Sequence, residues 1–153
     1  MSHRLPVSKS APAAYRAVIA LDAAVGNDLE AGLKDLIYLR ASQINGCTYC
    51  VDSHSVGLQD GGTPIRKIFA VSAWHESKFF TPRERLALEL TEAITRIADG
   101  GVSDDLWSRA SVEFGDEGLG DLILVISAIN VLNRIGVSTI LAVPPLEREI
   151  VGI

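Results

Sequence analysis

A chain of 153 residues has room for one domain that buries most of the surface its unfolded form exposes. Hydrophobic (48%) and charged (22%) residues stand in an ordinary globular balance, and a net charge of −5 lacks the basic face that a nucleic-acid partner needs. A mean hydropathy of +0.25 is high for a small monomer, and the excess reads as subunit contact surface.

In chain order, helices are parted by short turn signals. Pro12 suits the first turn of a helix over residues 12–25, closed by Gly26-Asn27. A second helix is expected over 28–44, where Leu29, Leu33, Leu36, Ile37 and Ile44 largely follow the helical period. Asn45-Gly46 breaks it, and Asn45 is in place to cap a third helix that carries Cys47 to about Leu58. Gly61-Gly62 ends that one, and Thr63-Pro64 opens another running to about Glu76. Thr81-Pro82-Arg83-Glu84 is a capping box. The helix behind it carries Leu86, Leu90, Ala93, Ile94 and Ile97 on one face, with Arg85–Glu89 and Glu92–Arg96 as i, i+4 pairs on its solvent side. Gly100-Gly101 stops it. Ser103 caps a short helix to Phe114, and a long apolar helix over 118–141 ends before Pro144-Pro145. No stretch alternates as a strand would. The expectation is an all-α bundle of six to seven helices without a sheet, one domain over 1–153 with a tail from 144 that packs on a neighbouring subunit.

The longest apolar stretch, 119–143, is interrupted by Asp121, Asn130, Asn133 and Arg134. It falls short of a run of about 18 apolar residues, so no membrane span is expected. The first residues lack the apolar core of a signal peptide, which points to the cytoplasm. There, two cysteines three positions apart are catalytic or metal-binding more often than a structural staple. A faint internal echo also exists. Leu39, Ser42, Ile44 and Asn45 recur 85 residues later as Leu124, Ser127, Ile129 and Asn130, with Leu132 and Ile135 in place of Cys47 and Cys50. It reads either as a duplicated helical unit or as chance likeness between two apolar helices.

The chemistry concentrates in residues 42–54. On a helix, Cys47, Cys50 and His54 fall on one face, shared with Val51 and Leu58. Two thiols one turn apart can close a disulfide. An imidazole four residues after Cys50 can take its proton or stabilise its thiolate. The helix start favours thiolate further, and a thiolate is what attacks a peroxide and becomes a sulfenic acid for a partner thiol to resolve. A structural zinc site would need four ligands, and only Cys47, Cys50 and His54 are local, so no metal or other cofactor is expected. Two inert core cysteines are the bland alternative, less attractive beside His54. A general thiol–disulfide oxidoreductase would set such a motif after a strand, and none is expected here.

The stretch from Asp35 to Ser55 resembles the AhpD-like alkylhydroperoxidase branch of the carboxymuconolactone decarboxylase family. The hallmark there is a glutamate, eleven residues, Cys-x-x-Cys, three residues and a histidine, and LRASQINGCTYCVDSH at 39–54 matches its core. The resemblance continues through 73–77, 91–93, 129–130 and 133–134, and so covers most of the chain. It implies an AhpD-like all-α fold assembled as a homotrimer or homohexamer, with thiol peroxidase activity and no metal or haem. Carried over, Cys50 is the peroxide-attacking thiol, Cys47 the resolving one, and His54 the activator of Cys50 in a proton relay. The family's glutamate falls on Asp35, which keeps the acid and shortens its reach by one methylene. Helix position alone does not choose between the thiols: the helix start favours Cys47, the i+4 histidine Cys50, and a neighbouring base acts more directly than a dipole that fades within a turn.

Other residues carry weaker expectations. Tyr49 points away from the cysteine face, Trp74 and Trp107 are core or interface aromatics, and His75 is structural or exposed. Asn130 and Arg134, polar in an apolar helix, need partners, at the site or between subunits. The expected function is a cytoplasmic, homo-oligomeric antioxidant enzyme reducing organic hydroperoxides. It would be reset by a dithiol reductant, from a lipoylated or thioredoxin-like protein. Lactone decarboxylation and a non-enzymatic redox-sensing oligomer are the alternatives.

Overall fold

The computed structural model describes residues 4–145. Among them the chain forms seven α-helices and no strand: α1 (Val7–Ser10), α2 (Pro12–Ala24), α3 (Leu33–Asn45), α4 (Thr48–Asp60), α5 (Ile65–Ala70), α6 (Pro82–Thr95) and α7 (Asp104–Thr139). Gly115, at φ 67° and ψ 176°, breaks α7 into two arms, close to where the sequence predicts one helix ending and another beginning. The expected tail lies mainly outside the described residues, as does His3.

Several local signals act as read. Pro12 opens α2 in its first turn. At α6, Thr81 Oγ1 accepts from the Glu84 amide at 3.2 Å, and Glu84 Oε2 accepts from the Thr81 amide at 2.8 Å. Ser103 Oγ accepts from the Leu106 amide at 3.2 Å. Caps of this kind contribute about 1 kcal/mol each.

Four readings are corrected. The second helix starts at Leu33 rather than Asp28, because Gly32 turns the chain in a left-handed conformation (φ 82°) just before it. The helix after Pro64 ends at Ala70 and tightens into a 3-10 turn over Val71–Ala73, well short of Glu76. Asn45 is the last residue of α3, and the cap of α4 is Cys47 itself. Arg85 does not pair with Glu89: its guanidinium donates to the carbonyls of Trp74, His75 and Ser77 at 2.9–3.0 Å, and Glu89 pairs with Arg109.

The core is built around α3, which packs on α4, α6 and α7. Leu33, Leu36, Ile37, Tyr38, Leu39, Ala41 and Ser42 are all buried, so α3 is covered on most of its circumference rather than along one stripe. The second arm of α7 supplies Leu122, Val125, Ile126 and Ile129 to the same core. By length and composition α7 alone would qualify to cross a membrane, yet 44% of its most apolar window is buried against the rest of this fold. Between α3 and α7 the buried polar groups satisfy one another. Asn133, fully buried, donates to Ser42 Oγ at 2.9 Å, and Asn45 Nδ2 donates to Asn133 Oδ1 at 2.9 Å and Asn130 Oδ1 at 3.0 Å. Asn45 and Asn130 are equivalent positions of the sequence echo, so its two copies meet face to face. Arg134 donates to both oxygens of Asn130 at 2.8–2.9 Å, which answers the need of both polar residues within the chain.

Candidate active site

A tight corner sets up the site. Gly46 takes a left-handed conformation (φ 70°) that most side chains resist, and the Cys47 amide then donates to the Ser42 carbonyl at 3.0 Å. The chain folds back so that α4 lies along α3. Residues 19 apart in sequence meet as a result: Asp35 Oδ1 lies 3.0 Å from His54 Nδ1. A carboxylate accepts only, so Nδ1 carries the proton and Nε2 is left as the basic nitrogen. Aspartate therefore reaches the imidazole directly. Gly57, one turn after His54, helps to make room, since a Cβ there would stand 3.2 Å from Asp35 Oδ2.

Two residues without a place in the motif hold the imidazole. Tyr38, one turn after Asp35 and 2% exposed, meets the His54 ring at 88° with centroids 4.9 Å apart. Its hydroxyl donates to Asp22 Oδ1 at 2.6 Å. Burial, then the Asp22 carboxylate, pushes the Tyr38 phenol far above its ordinary range, so it stays a donor. Lys34 Nζ ties the same helix end, donating to the Asp22 and Val25 carbonyls at 2.7 and 2.8 Å. An apolar-spacing search could not find Asp22 and Tyr38, because the signal is a single long-range hydrogen bond between α2 and α3.

Cys47 and Cys50 are joined in a disulfide, with Cα atoms 5.3 Å apart. Cys47 caps α4, its Sγ accepting from the Cys50 amide at 3.4 Å. His54 sits one turn beyond Cys50 on α4, with Asp35 behind it. On the other side the disulfide rests on α7. A Cβ at Gly136 would stand 3.0 Å from Cys47 Sγ and 3.7 Å from Cys50 Sγ. Gly136 is thus a site residue that the motif does not reveal. Both cysteines are buried, at 2% and 6% exposure, but Cys47 borders a cavity of about 140 Å³ between α4 and the end of α7. Tyr49, partly exposed, borders it too.

The remaining candidates sit elsewhere. Trp74 is buried and donates from Nε1 to Glu92 Oε1 at 2.7 Å, with Arg40 Nη2 2.7 Å from the same oxygen. Burial pushes the Glu92 carboxyl up, but the bonds from Trp74 and Arg40 outweigh it and hold the group below its ordinary 4.5. Glu92 is therefore mostly enclosed rather than on a solvent face, although it keeps an ion pair to Arg96 at 3.5 Å. His75 is exposed and stacks on Trp74 at 3.7 Å. Trp107 is 47% exposed and takes no part in the core.

Residues 12–93 match the carboxymuconolactone decarboxylase family, and the chain belongs to it as an AhpD-like member. Over 105 residues it is 39% identical to the uncharacterized protein YdfG of Bacillus subtilis, covering 69% of this chain and 71% of that one. Over 106 residues it is 31% identical to the uncharacterized protein YnjA of Escherichia coli, covering 69% of this chain and 58% of YnjA. A solved structure from Agrobacterium tumefaciens, described as a protein of unknown function and a candidate antioxidant defence protein AhpD, superposes with a TM-score of 0.90. It is 37% identical, with 94% of this chain and 99% of that one covered. A peroxidase-related protein from Ralstonia eutropha JMP134, described as an alkylhydroperoxidase AhpD core, shares the fold at a TM-score of 0.73. It has 21% identity, with 86% and 71% of the two chains covered. The all-α AhpD-like fold expected from the motif is the fold observed.

Proposed function

We propose that this protein is a thiol-dependent hydroperoxide reductase that cycles between the Cys47–Cys50 disulfide and the dithiol. The observation that carries this reading is the hydrogen bond from His54 Nδ1 to Asp35, which leaves Nε2 as a base one helical turn from Cys50. In the reduced enzyme, His54 takes the Cys50 proton. The thiolate attacks the terminal oxygen of the hydroperoxide, the O–O bond breaks, and Cys50 becomes a sulfenic acid. The departing alkoxide takes the proton back from His54 and leaves as an alcohol. Cys47 then attacks the Cys50 sulfur, water leaves, and the disulfide forms. A dithiol restores both thiols and is itself oxidised to a disulfide. The relatives described as antioxidant or peroxidase-related support the same chemistry. In this reading the protein works as a homo-oligomer in the reducing cytoplasm, where a disulfide must be turned over to persist.

The test is consumption of an organic hydroperoxide with a dithiol present. The wild-type chain should turn over repeatedly. Cys50→Ser should abolish peroxide consumption, and Cys47→Ser should oxidise without cycling to the intramolecular disulfide. A Cys50→Ser variant with wild-type peroxide reactivity would overturn the assignment of the attacking thiol.

A further inference from the structure

Three residues of α7 spaced three apart, Asn130, Asn133 and Gly136, meet the end of α3 and the start of α4. The corner between those helices has little to hold it from outside. Gly46 and Thr48 are exposed, Tyr49 partly so, and a Cβ at Gly46 would meet nothing within 4 Å. Cys47 between them is nevertheless buried. Its amide donates to the Ser42 carbonyl at 3.0 Å, and Ser42 is also where Asn133 takes hold, with Nδ2 donating to Ser42 Oγ at 2.9 Å. The other end of the same side-chain amide, Asn133 Oδ1, accepts from Asn45 Nδ2 at 2.9 Å. One side chain with no exposed surface therefore holds the last turn of α3 at two points. One point is the residue that bonds Cys47, and the other is the residue just before Gly46. One turn further along α7, Gly136 seats the Cys47 sulfur, since a Cβ there would stand 3.0 Å from it. Apolar packing alone would keep α3 on α7 without fixing that last turn. The buried amide does fix it, because leaving either of its ends unpaired in the interior is costly.

We propose that Asn133 is a positioning residue for the redox pair: acting through Ser42 and Asn45, it fixes the corner so that the Cys47 sulfur stays within bonding reach of Cys50 when the disulfide is open. The inference rests on the disulfide–dithiol cycle above and concerns how readily the ring closes. Two thiols held close form a disulfide with an equilibrium constant that rises with their effective concentration, because the freedom lost on closure has already been given up. Removing the Asn133 bonds frees the corner more in the dithiol than in the disulfide, where the S–S bond still ties Cys47 to Cys50. The dithiol gains, and the disulfide becomes easier to reduce. The same restraint acts when Cys50 is a sulfenic acid. Cys47 Sγ attacks the Cys50 sulfur, the S–S bond forms and water leaves, with the attacking sulfur already in place.

The experiment needs no peroxide, so it fails separately from the peroxidase reading. The full chain is equilibrated with mixtures of oxidised and reduced dithiothreitol and quenched by alkylation, and the disulfide fraction is read by mass spectrometry. Asn133→Ala should lower the equilibrium constant of the disulfide about ten-fold, or about 30 mV toward easier reduction for a two-electron couple. By linkage, urea unfolding should show the variant costing the oxidised chain about ten-fold more in its folding constant than the reduced chain. Ser42→Ala deletes a single hydroxyl, should shift the constant about three-fold in the same direction, and decides the matter where Asn133→Ala does not fold. Thr91→Ala is the control for a general loss of stability: Thr91 is fully buried on α6, donates to the Ala87 carbonyl at 2.7 Å, and has no bond to the corner. Its constant should stay within about two-fold of wild type, since a loss shared by both redox forms cancels. An Asn133→Ala constant inside that same range, a shift toward harder reduction, or an equal shift in Thr91→Ala overturns the proposal.

Discussion

The two sulfurs of one disulfide face different surroundings. Beyond Cys50 lies a polar chain, from His54 to Asp35, with Tyr38 and Asp22 setting the imidazole plane. Beside Cys47 lies an uncharged wall, Gly136, Val137, Ile140 and Leu141, with a cavity against it. A proton must be moved when a thiol becomes a nucleophile, and that needs a base with its second nitrogen fixed. The Cys-x-x-Cys segment is thus flanked by a polar chain that can move a proton and by an apolar wall on which the disulfide is seated at Gly136.

The largest effect that would break this division is at His54. His54→Gln should slow oxidation of the reduced enzyme by hydroperoxide about 10²- to 10⁴-fold, read by stopped-flow at a fixed pH. A loss under three-fold would mean that the polar side is not the base. Asp35→Asn comes next, at about 10- to 100-fold in the same assay, because the amide no longer enforces the Nδ1–H tautomer. Asp35→Glu should stay within a few-fold if the missing Cβ at Gly57 leaves room for the longer side chain. On the apolar side, Gly136→Ala should destabilise the oxidised form by about 1–3 kcal/mol in urea unfolding, because its Cβ has no room beside Cys47. An unchanged midpoint would show that α7 is free to move away from the disulfide.

The smallest effect is a control remote from either sulfur. Glu92 is held ionised below its ordinary 4.5, so its contribution to stability is fully present above that value and is lost as pH falls through the depressed one. Glu92→Gln should flatten that acid limb of the unfolding curve and leave the pH profile of thiol reactivity unchanged. If the thiol profile moves with it, the site and the Arg40–Trp74 cluster are coupled.

Much of the architecture was legible because it is written in local chemistry. Pro12, the Thr81–Glu84 box and Ser103 act through neighbours three residues away, so spacing alone identifies them. The elements that slipped did so for tertiary reasons. Leu29 follows the period of α3 yet lies outside it, because Gly32 redirects the chain. Arg85 and Glu89 have ideal helical spacing, but the carbonyls of the 74–77 turn and Arg109 compete successfully for them. Asn45 has the chemistry of a cap, but its amide is drawn into the pairs with Asn130 and Asn133, and Asn133 Oδ1 would otherwise lack a donor.

The sequence by itself determined the helices, the dithiol, and the order of acid, cysteines and histidine, because each depends on residue type and on separations of a few positions. It also contained the doubt over an aspartate in place of a glutamate, without the means to resolve it. Only the tertiary structure decided that Asp35 touches His54, that Tyr38 and Asp22 hold the ring, and that Gly136 lies under Cys47. Those contacts join residues from 16 to nearly 90 positions apart, and they exist only once α4 and α7 are packed on α3 and α2 on α7.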